Sequence, residues 1–297
     1  MELSYYRKAF WHFRHGGLSQ LRKYEMQSPT TRKRWFYDFP VSRGQKSIEQ
    51  LREMYVRQQA SWEEKVAADP SLTPRVSTLI STIRPHRIGY MLDYLTAQRS
   101  VELQVLIATH GFEASDGDRA RARELGLDVT WIAADPKLSL GGVYNQVLEH
   151  ADQPWIAKFD DDDFYGEHYL LDSAMMASAA GADLIGKHSH FVYIESLDAV
   201  YQRFHGYDHR YSNFLTGATI LGRTDAVHEL GFTDTTVGED SDLLEKAFHA
   251  KMRLYSGSPF GYCTLRGASH TWAFSDERML GESTLMHSGG PGEFECV

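Results

Sequence analysis

The sequence predicts an α/β protein built on a mainly parallel sheet with helices on both faces, and three observations carry that expectation. From Val76 to Ala182, short apolar runs rich in β-branched residues alternate with stretches of helical length, the rhythm of successive strand–helix–strand units. The fourth such run, PWIAKFD, opens directly onto four consecutive aspartates, Asp160 to Asp163, where ligands gather in sheets of this kind, beyond the C-terminal ends of the strands. After Gly181 the rhythm changes to longer strands, so the second half reads as mixed rather than parallel.

The elements follow in order. Residues 1–70 mix aromatics with basic residues (YYRKAFWHFRHGG, RKRWFYDF) and run into a helical pattern, SIEQLREMYVRQQASWEEKVAA. DPSLTPR ends that helix, because Pro70 and Pro74 cannot donate a helical N–H. The predicted organisation is a basic, aromatic helical extension over 1–74, an α/β domain over 75–275, and a glycine-rich tail over 276–297 that reads as a lid or a disordered end. Within the domain VSTLIST, VELQVLIAT, LDVTWIA and PWIAKFD are strands, and RIGYMLDYLTAQ, DRARARELG, LGGVYNQVLEHA and HYLLDSAMMASAAGA are helices. Beyond them ADLIGKHSHFVYIES and DAVYQRF read as strands, followed by FLTGATILGR, a helix through EDSDLLEKAFHA and a strand-like RLYSGSPFGYCTLR.

With 42% hydrophobic and 24% charged residues, the chain has the makeup of a folded globular protein. No apolar run reaches the roughly 18 residues that span a bilayer. The N-terminus, MELSYYRKAFWHFRHGG, lacks a continuous apolar stretch and a small-residue cleavage site, so a cytoplasmic protein is expected. Two cysteines, Cys263 and Cys296, argue against a disulfide framework or a cysteine-based zinc site. The net charge of −9 is divided: residues 1–60 carry 12 Lys+Arg against 5 Asp+Glu, or +7, which leaves −16 for the remainder. An acidic body repels phosphates and excludes nucleic acid as its partner. Two uses are open to the basic segment over 1–70: lying on the inner face of an anionic membrane with Trp11, Phe13 and Trp35 at headgroup level, or packing as helices against the body or a second copy in a homodimer. The opposite charge within the same molecule favours packing.

Two carboxylates about 4 Å apart repel by roughly 4 kcal/mol in a partly buried site, so Asp160 to Asp163 need either full solvation or a cation. A solvated loop is the plainer reading, but the run abuts a strand that must be buried. An EF-hand loop fits Asp161, Asp163, Gly166 and Asp172 at positions 1, 3, 6 and 12, although Tyr165 stands at position 5 and a strand precedes it where a helix is needed. The third reading is a divalent cation held against a substrate diphosphate. Two further segments bear on it. In GEDSDLLEKAF, Glu239 and Asp240 stand at a helix start, either as residues favoured by the helix dipole or as a general base; Asp242 and Glu245 read as surface residues. In GASHTW, His270 becomes a candidate third metal ligand if the aspartates bind metal.

Taken together, VSTLIST with its turn, LGGVYNQVLEHA, FDDDDFYGEHYL, GED and HTW resemble a family 2 glycosyltransferase of the GT-A fold, over Val76 to Trp272. The resemblance implies a metal-dependent inverting transfer, with Mn²⁺ or Mg²⁺, of a sugar from a nucleotide-diphosphate sugar to a hydroxyl acceptor that is a glycan, lipid-linked or a small molecule. It implies that Asp160 and Asp162 form the Asp-x-Asp pair, with Asp162 in direct metal contact, Asp161 and Asp163 accessory, and His270 completing the metal shell. Asp240 would be the base, with Glu239 beside it. Nucleotide base and ribose would sit against Ser81, Thr82, Ile83 and Arg84 and the end of the second strand. There His110 replaces the aspartate that many members carry, so the donor need not be a UDP-sugar. Asn145 matches a polar position near the donor, or else is a surface amide, and Gly217 a point of close backbone approach to the acceptor. Lys158 and Lys187 are placed to balance carboxylate or phosphate charge, or to form ordinary salt bridges. Two rivals stand beside this reading. A nucleotidyltransferase would show a glycine-rich basic loop where the sequence has TIRPHR, and a non-catalytic nucleotide-sugar-binding module would have less need of Asp240, His270 and the full aspartate run.

Overall fold

The computed structural model describes residues 47–267 and 279–290. Ser47 caps helix α1 (Ile48–Ala68) through a capping box with Gln50, and Pro70 follows its C-cap, Asp69, as the paired prolines predict. This helix is docked on the body. Tyr55 is buried and stacks on Phe260 at 5.4 Å between centroids, Gln59 Nε2 donates to the buried Asp172 at 2.9 Å, and Glu63 meets His168 at 2.9 Å. Gly261 takes a φ of +79°, and a Cβ there would lie 2.8 Å from the Tyr55 hydroxyl, so a glycine is what lets the helix seat. The part of the basic extension with Trp11, Phe13 and Trp35 lies outside the described residues. No described helix is long and apolar enough to cross a membrane.

The main sheet has eight strands in the order β3 (Val129–Ala134), β2 (Glu102–His110), β1 (Arg75–Thr82), β4 (Trp155–Phe159), β10 (Leu221–Arg223), β6 (Leu184–Gly186), β11 (Leu254–Ser256) and β9 (Arg210–Tyr211). The first four are parallel, with Leu79 of β1 opposite Leu106 of β2 and Lys158 of β4. β10 runs antiparallel between β4 and β6, which makes the sheet mixed where the sequence rhythm changes. Helices α2 (Ile88–Ala97), α3 (Asp116–Glu124) and α4 (Leu140–Leu148) connect the parallel strands, and α5 (Tyr169–Ala180) follows the fourth. Alternate residues of each strand serve two cores, as a sheet covered on both faces requires. Ile80 and Ile107 pack with Leu92, Phe159 and Tyr169 on one face; Leu79 and Leu106 pack with Val143, Ile156 and Leu243 on the other.

The long apolar runs of the second half each divide between two sheets. ADLIGKHSHFVYIES supplies β6 and then β7 (His190–Ile194), and RLYSGSPFGYCTLR supplies β11 and then β12 (Tyr262–Arg266). The second sheet runs β13 (Ser283–Ser288), β8 (Ala199–Arg203), β7, β12 and β5 (Phe164–Tyr165). Where the chain crosses between sheets, Lys187 is buried and donates to the carbonyls of Ser258 and Phe260 at 2.6 Å each. Within the segment expected to be a lid or a disordered end, Ser283–Ser288 pairs antiparallel with β8 as a partly exposed edge strand; residues 276–278 and 291–297 lie outside the described residues. The EF-hand alternative fails. Asp172 lies buried on α5, held by Gln58 and Gln59, and cannot close a calcium loop.

Burial pushes the Lys187 ammonium down to about 8, with Asp172 pulling weakly the other way. An unfolded lysine keeps its proton to about 10.4, so above pH ~8 the unfolded chain binds more protons and stability rises with pH up to that value. Lys187→Met removes this contribution. Denaturant unfolding at about pH 7.5 and about pH 9.5 should show wild type gaining on the variant by at most about 1.4 kcal/mol per pH unit. Parallel pH profiles for the two proteins would show that Lys187 titrates normally.

Candidate active site

β4 ends at the C-terminal edge of the parallel strands, and the chain turns at once through Asp160–Asp163 into β5. The turn breaks the two-residue alternation, so that Asp161 parts from the other three carboxylates. Asp161 goes back to β1, where Thr82 Oγ1 donates to its Oδ2 at 2.5 Å and the Arg84 guanidinium pairs with its other oxygen. Arg84 also reaches Asp162 at 3.2 Å. Asp160, Asp162 and Asp163 each bring a carboxylate oxygen within 4.8 Å of the others. Asp163 is the deepest of them, held by the Tyr262 hydroxyl and by the Leu265 N–H at 3.2 Å. The Asp160 N–H donates to the Tyr165 hydroxyl at 2.9 Å, and that hydroxyl donates to the Ala218 carbonyl at 2.9 Å.

The cluster is short of positive charge. Burial raises the proton affinity of Asp161, against the Thr82 hydroxyl and Arg84, and that of Asp162, where Asp160 adds to the effect. Asp163 is pushed well above the usual carboxylate range, by burial first and by Asp160 and Asp162 next. Three convergent carboxylates, with no sulfur among them, make the hard oxygen donor set that suits Mg²⁺ or Mn²⁺.

A second acidic group faces this one. Helix α6 (Thr224–Leu230) is followed by a loop ending at Gly238, after which α7 (Glu239–His249) begins with Glu239 and Asp240. Glu239 is buried and pushed up to about 7 by that burial and by Asp240. Asp240 is also raised by burial, which Lys158 opposes. Gly217 is pressed against the Asp240 carboxylate so closely that a Cβ would overlap it. The close approach expected of this glycine is therefore made to Asp240. Lys158 bridges the two groups, with its Nζ 2.7 Å from Asp160 and 3.0 Å from Asp240. Burial alone would lower the Lys158 ammonium, but the two carboxylates outweigh it and hold it well above its ordinary value.

Of the residues expected to meet the nucleotide, Ser81, Thr82 and Arg84 lie at the end of β1 beside the cluster, and His110 ends the adjacent β2. The His110 Nε2 is buried and has no hydrogen-bond partner among the described residues. Asn145 is placed differently. Its amide donates to the Phe232 carbonyl and accepts from the Phe232 N–H, both at 2.8 Å, so it ties a loop to α4 instead of offering a free amide to a donor. Lys187 meets backbone carbonyls and no member of the cluster. His270 lies outside the described residues. Sequence reasoning gave Lys158 as a counter-charge or salt-bridge partner, as its ion pairs bear out, but missed that it joins the two groups, and it gave Asp163 only an accessory role. The signal for the first was present: in a strand, residues 158 and 160 share a face.

No protein-family model and no curated protein matches the sequence. Solved structures do. S. aureus TarS 1–349 in complex with UDP-GlcNAc superposes with a TM-score of 0.52 at 16% identity, over 70% of this chain and 64% of that one. The same protein with UDP gives 0.50 at 17% identity, over 64% and 60%. The mannosyltransferase PcManGT from Pyrobaculum calidifontis, in complex with GDP-Man and Mn²⁺, gives 0.51 at 15% identity, over 78% and 70%. The chain thus spans less than two thirds of the TarS structures it matches. At such identities the similarity is one of architecture, and with the strand order and the placement of the aspartates it shows that this chain has the GT-A glycosyltransferase fold.

Proposed function

We propose that the protein transfers a sugar from a nucleotide-diphosphate sugar to a hydroxyl acceptor with inversion, assisted by Mn²⁺ or Mg²⁺. The observation that carries the proposal is the meeting of two acidic groups at one strand edge: three convergent aspartates, and at a helix start the buried Glu239 beside the partly exposed Asp240, the two groups joined through one ammonium. Asp160, Asp162 and Asp163 would hold the cation, with His270 a further ligand on the strength of the sequence. When bound, the cation supplies charge neutralisation for the donor diphosphate and the departing nucleotide.

The chain's own residues do the rest. Ser81, Thr82, Arg84 and His110, at the ends of β1 and β2, are assigned to the nucleotide, with Arg84 holding Asp161 and Asp162 beside it. Asp240 is the assigned base. It takes the proton of the acceptor hydroxyl as that oxygen attacks the anomeric carbon from the side opposite the leaving group, so the configuration inverts. Glu239, with a proton affinity near neutrality, sits next to it as an adjoining proton acceptor. The nucleotide sugars bound by TarS and PcManGT support this donor class. Neither the sugar nor the base of the nucleotide is specified by these residues.

Asp240→Asn should lower the rate of transfer by about 100-fold or more while leaving donor affinity, measured by calorimetry, within about threefold of wild type. Wild-type turnover in that variant would remove Asp240 as the base. Asp162→Asn should abolish the rise in melting temperature that a nucleoside diphosphate gives in the presence of Mn²⁺, since a ligand of the folded state raises its apparent stability. Product analysis completes the set: nucleoside diphosphate released from the donor supports glycosyl transfer, whereas pyrophosphate would identify a nucleotidyltransferase.

A further inference from the structure

Lys158 is the point at which the two halves of the site touch. Its side chain is 4% exposed, its ammonium contacts Asp160 and Asp240, and it lies 5.1 Å from the centroid of the Tyr144 ring. Being part of a central strand, it cannot follow either partner if one of them moves. Asp240 is thereby gripped twice, by the Gly217 backbone and by Lys158 on Oδ2. Its other oxygen, Oδ1, is buried and meets no N–H or hydroxyl donor among the described residues; besides Lys158, the side chain that hydrogen-bonds Asp240 is the adjoining Glu239 carboxyl. A buried carboxylate oxygen so poorly supplied with donors is costly and calls for a reason.

We infer that Lys158 is a positioning residue that holds Asp240 by Oδ2 so that Oδ1 faces the acceptor hydroxyl, and that its contact with Asp160 ties this orientation to the cation seat. The inference rests on the proposed reading of the aspartates as a metal seat and of Asp240 as the base. It has two consequences of opposite sign. A fixed positive charge against Asp160 repels a divalent cation bound there, so removing the charge strengthens cation binding. The same removal lets the Asp240 carboxylate turn, so transfer slows. A lysine that merely supported the fold would weaken both when replaced.

Lys158→Met in the full chain keeps the length of the stem over Tyr144 and deletes the charge. The expected result is Mn²⁺ binding, measured by calorimetry without nucleotide, tighter by about threefold or more. It is accompanied by a kcat about 100-fold lower and a donor KM within about threefold of wild type. Lys158→Arg, which retains the charge, should keep wild-type Mn²⁺ affinity. If Lys158→Met fails to fold, Lys158→Gln supplies the same pair of readings. Mn²⁺ affinity and kcat falling together, or an unchanged kcat, would overturn the role of Lys158 while leaving the metal seat standing. Wild-type protein that binds no Mn²⁺ would overturn the metal seat, and this inference with it.

Discussion

The carboxylates of Asp160 to Asp163 and of Glu239 and Asp240 crowd the C-terminal edge of the parallel strands, and Arg84 and Lys158 sit against them as counter-charge. Mutual repulsion at this density, in a site largely withdrawn from water, costs several kcal/mol unless cations or hydrogen-bond donors offset it. Much of the surrounding structure supplies that offset. β1 contributes the Thr82 hydroxyl and Arg84, β4 contributes Lys158, and β12 contributes the Tyr262 hydroxyl and the Leu265 N–H. Burial, with the neighbouring carboxylates, still holds Asp161, Asp162 and Asp163 above the usual carboxylate range despite these partners.

The second sheet follows from the same need. A parallel sheet alone could present aspartates at its strand ends, but nothing would reach over them to hold Asp163. By dividing two long segments between sheets, the chain brings β12 beside β5 next to the acidic turn, so that the Tyr262 hydroxyl meets Asp163 and the Tyr165 hydroxyl meets the Asp160 N–H. Tyr165 packs against Phe159 at 4.4 Å and Tyr169 at 5.1 Å between centroids, which fixes the ring whose hydroxyl meets the Asp160 N–H. Docking of α1 adds a further layer, since Tyr55 packs on Phe260 in the segment that joins β11 to β12.

The parallel half of the molecule was legible because its strands are unbroken runs rich in β-branched residues, separated by helices, two of them with side-chain caps at Ser115 and Ser139. The aspartate run and the acidic start of α7 stood out for a simple reason, that charge at the end of a buried element is costly and therefore informative. What stayed hidden was set by tertiary geometry. The Asp-x-Asp resemblance pairs Asp160 with Asp162, but it could not show that a turn carries Asp163 back toward them and Asp161 away. The crossing between sheets within ADLIGKHSHFVYIES was masked because its polar middle, Lys187 to His190, is as buried as the apolar residues on either side. Asn145 looked available because a loop 87 residues further along the chain supplies its partner, a relation no local pattern records.

One phenol sets the dimensions of this region. The Tyr165 hydroxyl joins the backbone at Asp160 to the backbone at Ala218, and Ala218 follows the glycine against which Asp240 rests. The separation between the aspartate turn and Asp240 is thus gauged by an aromatic ring locked in the interior, not by any surface loop. A change of length or composition in a rim segment would leave that gauge where it is, because neither of its two hydrogen bonds involves the rim.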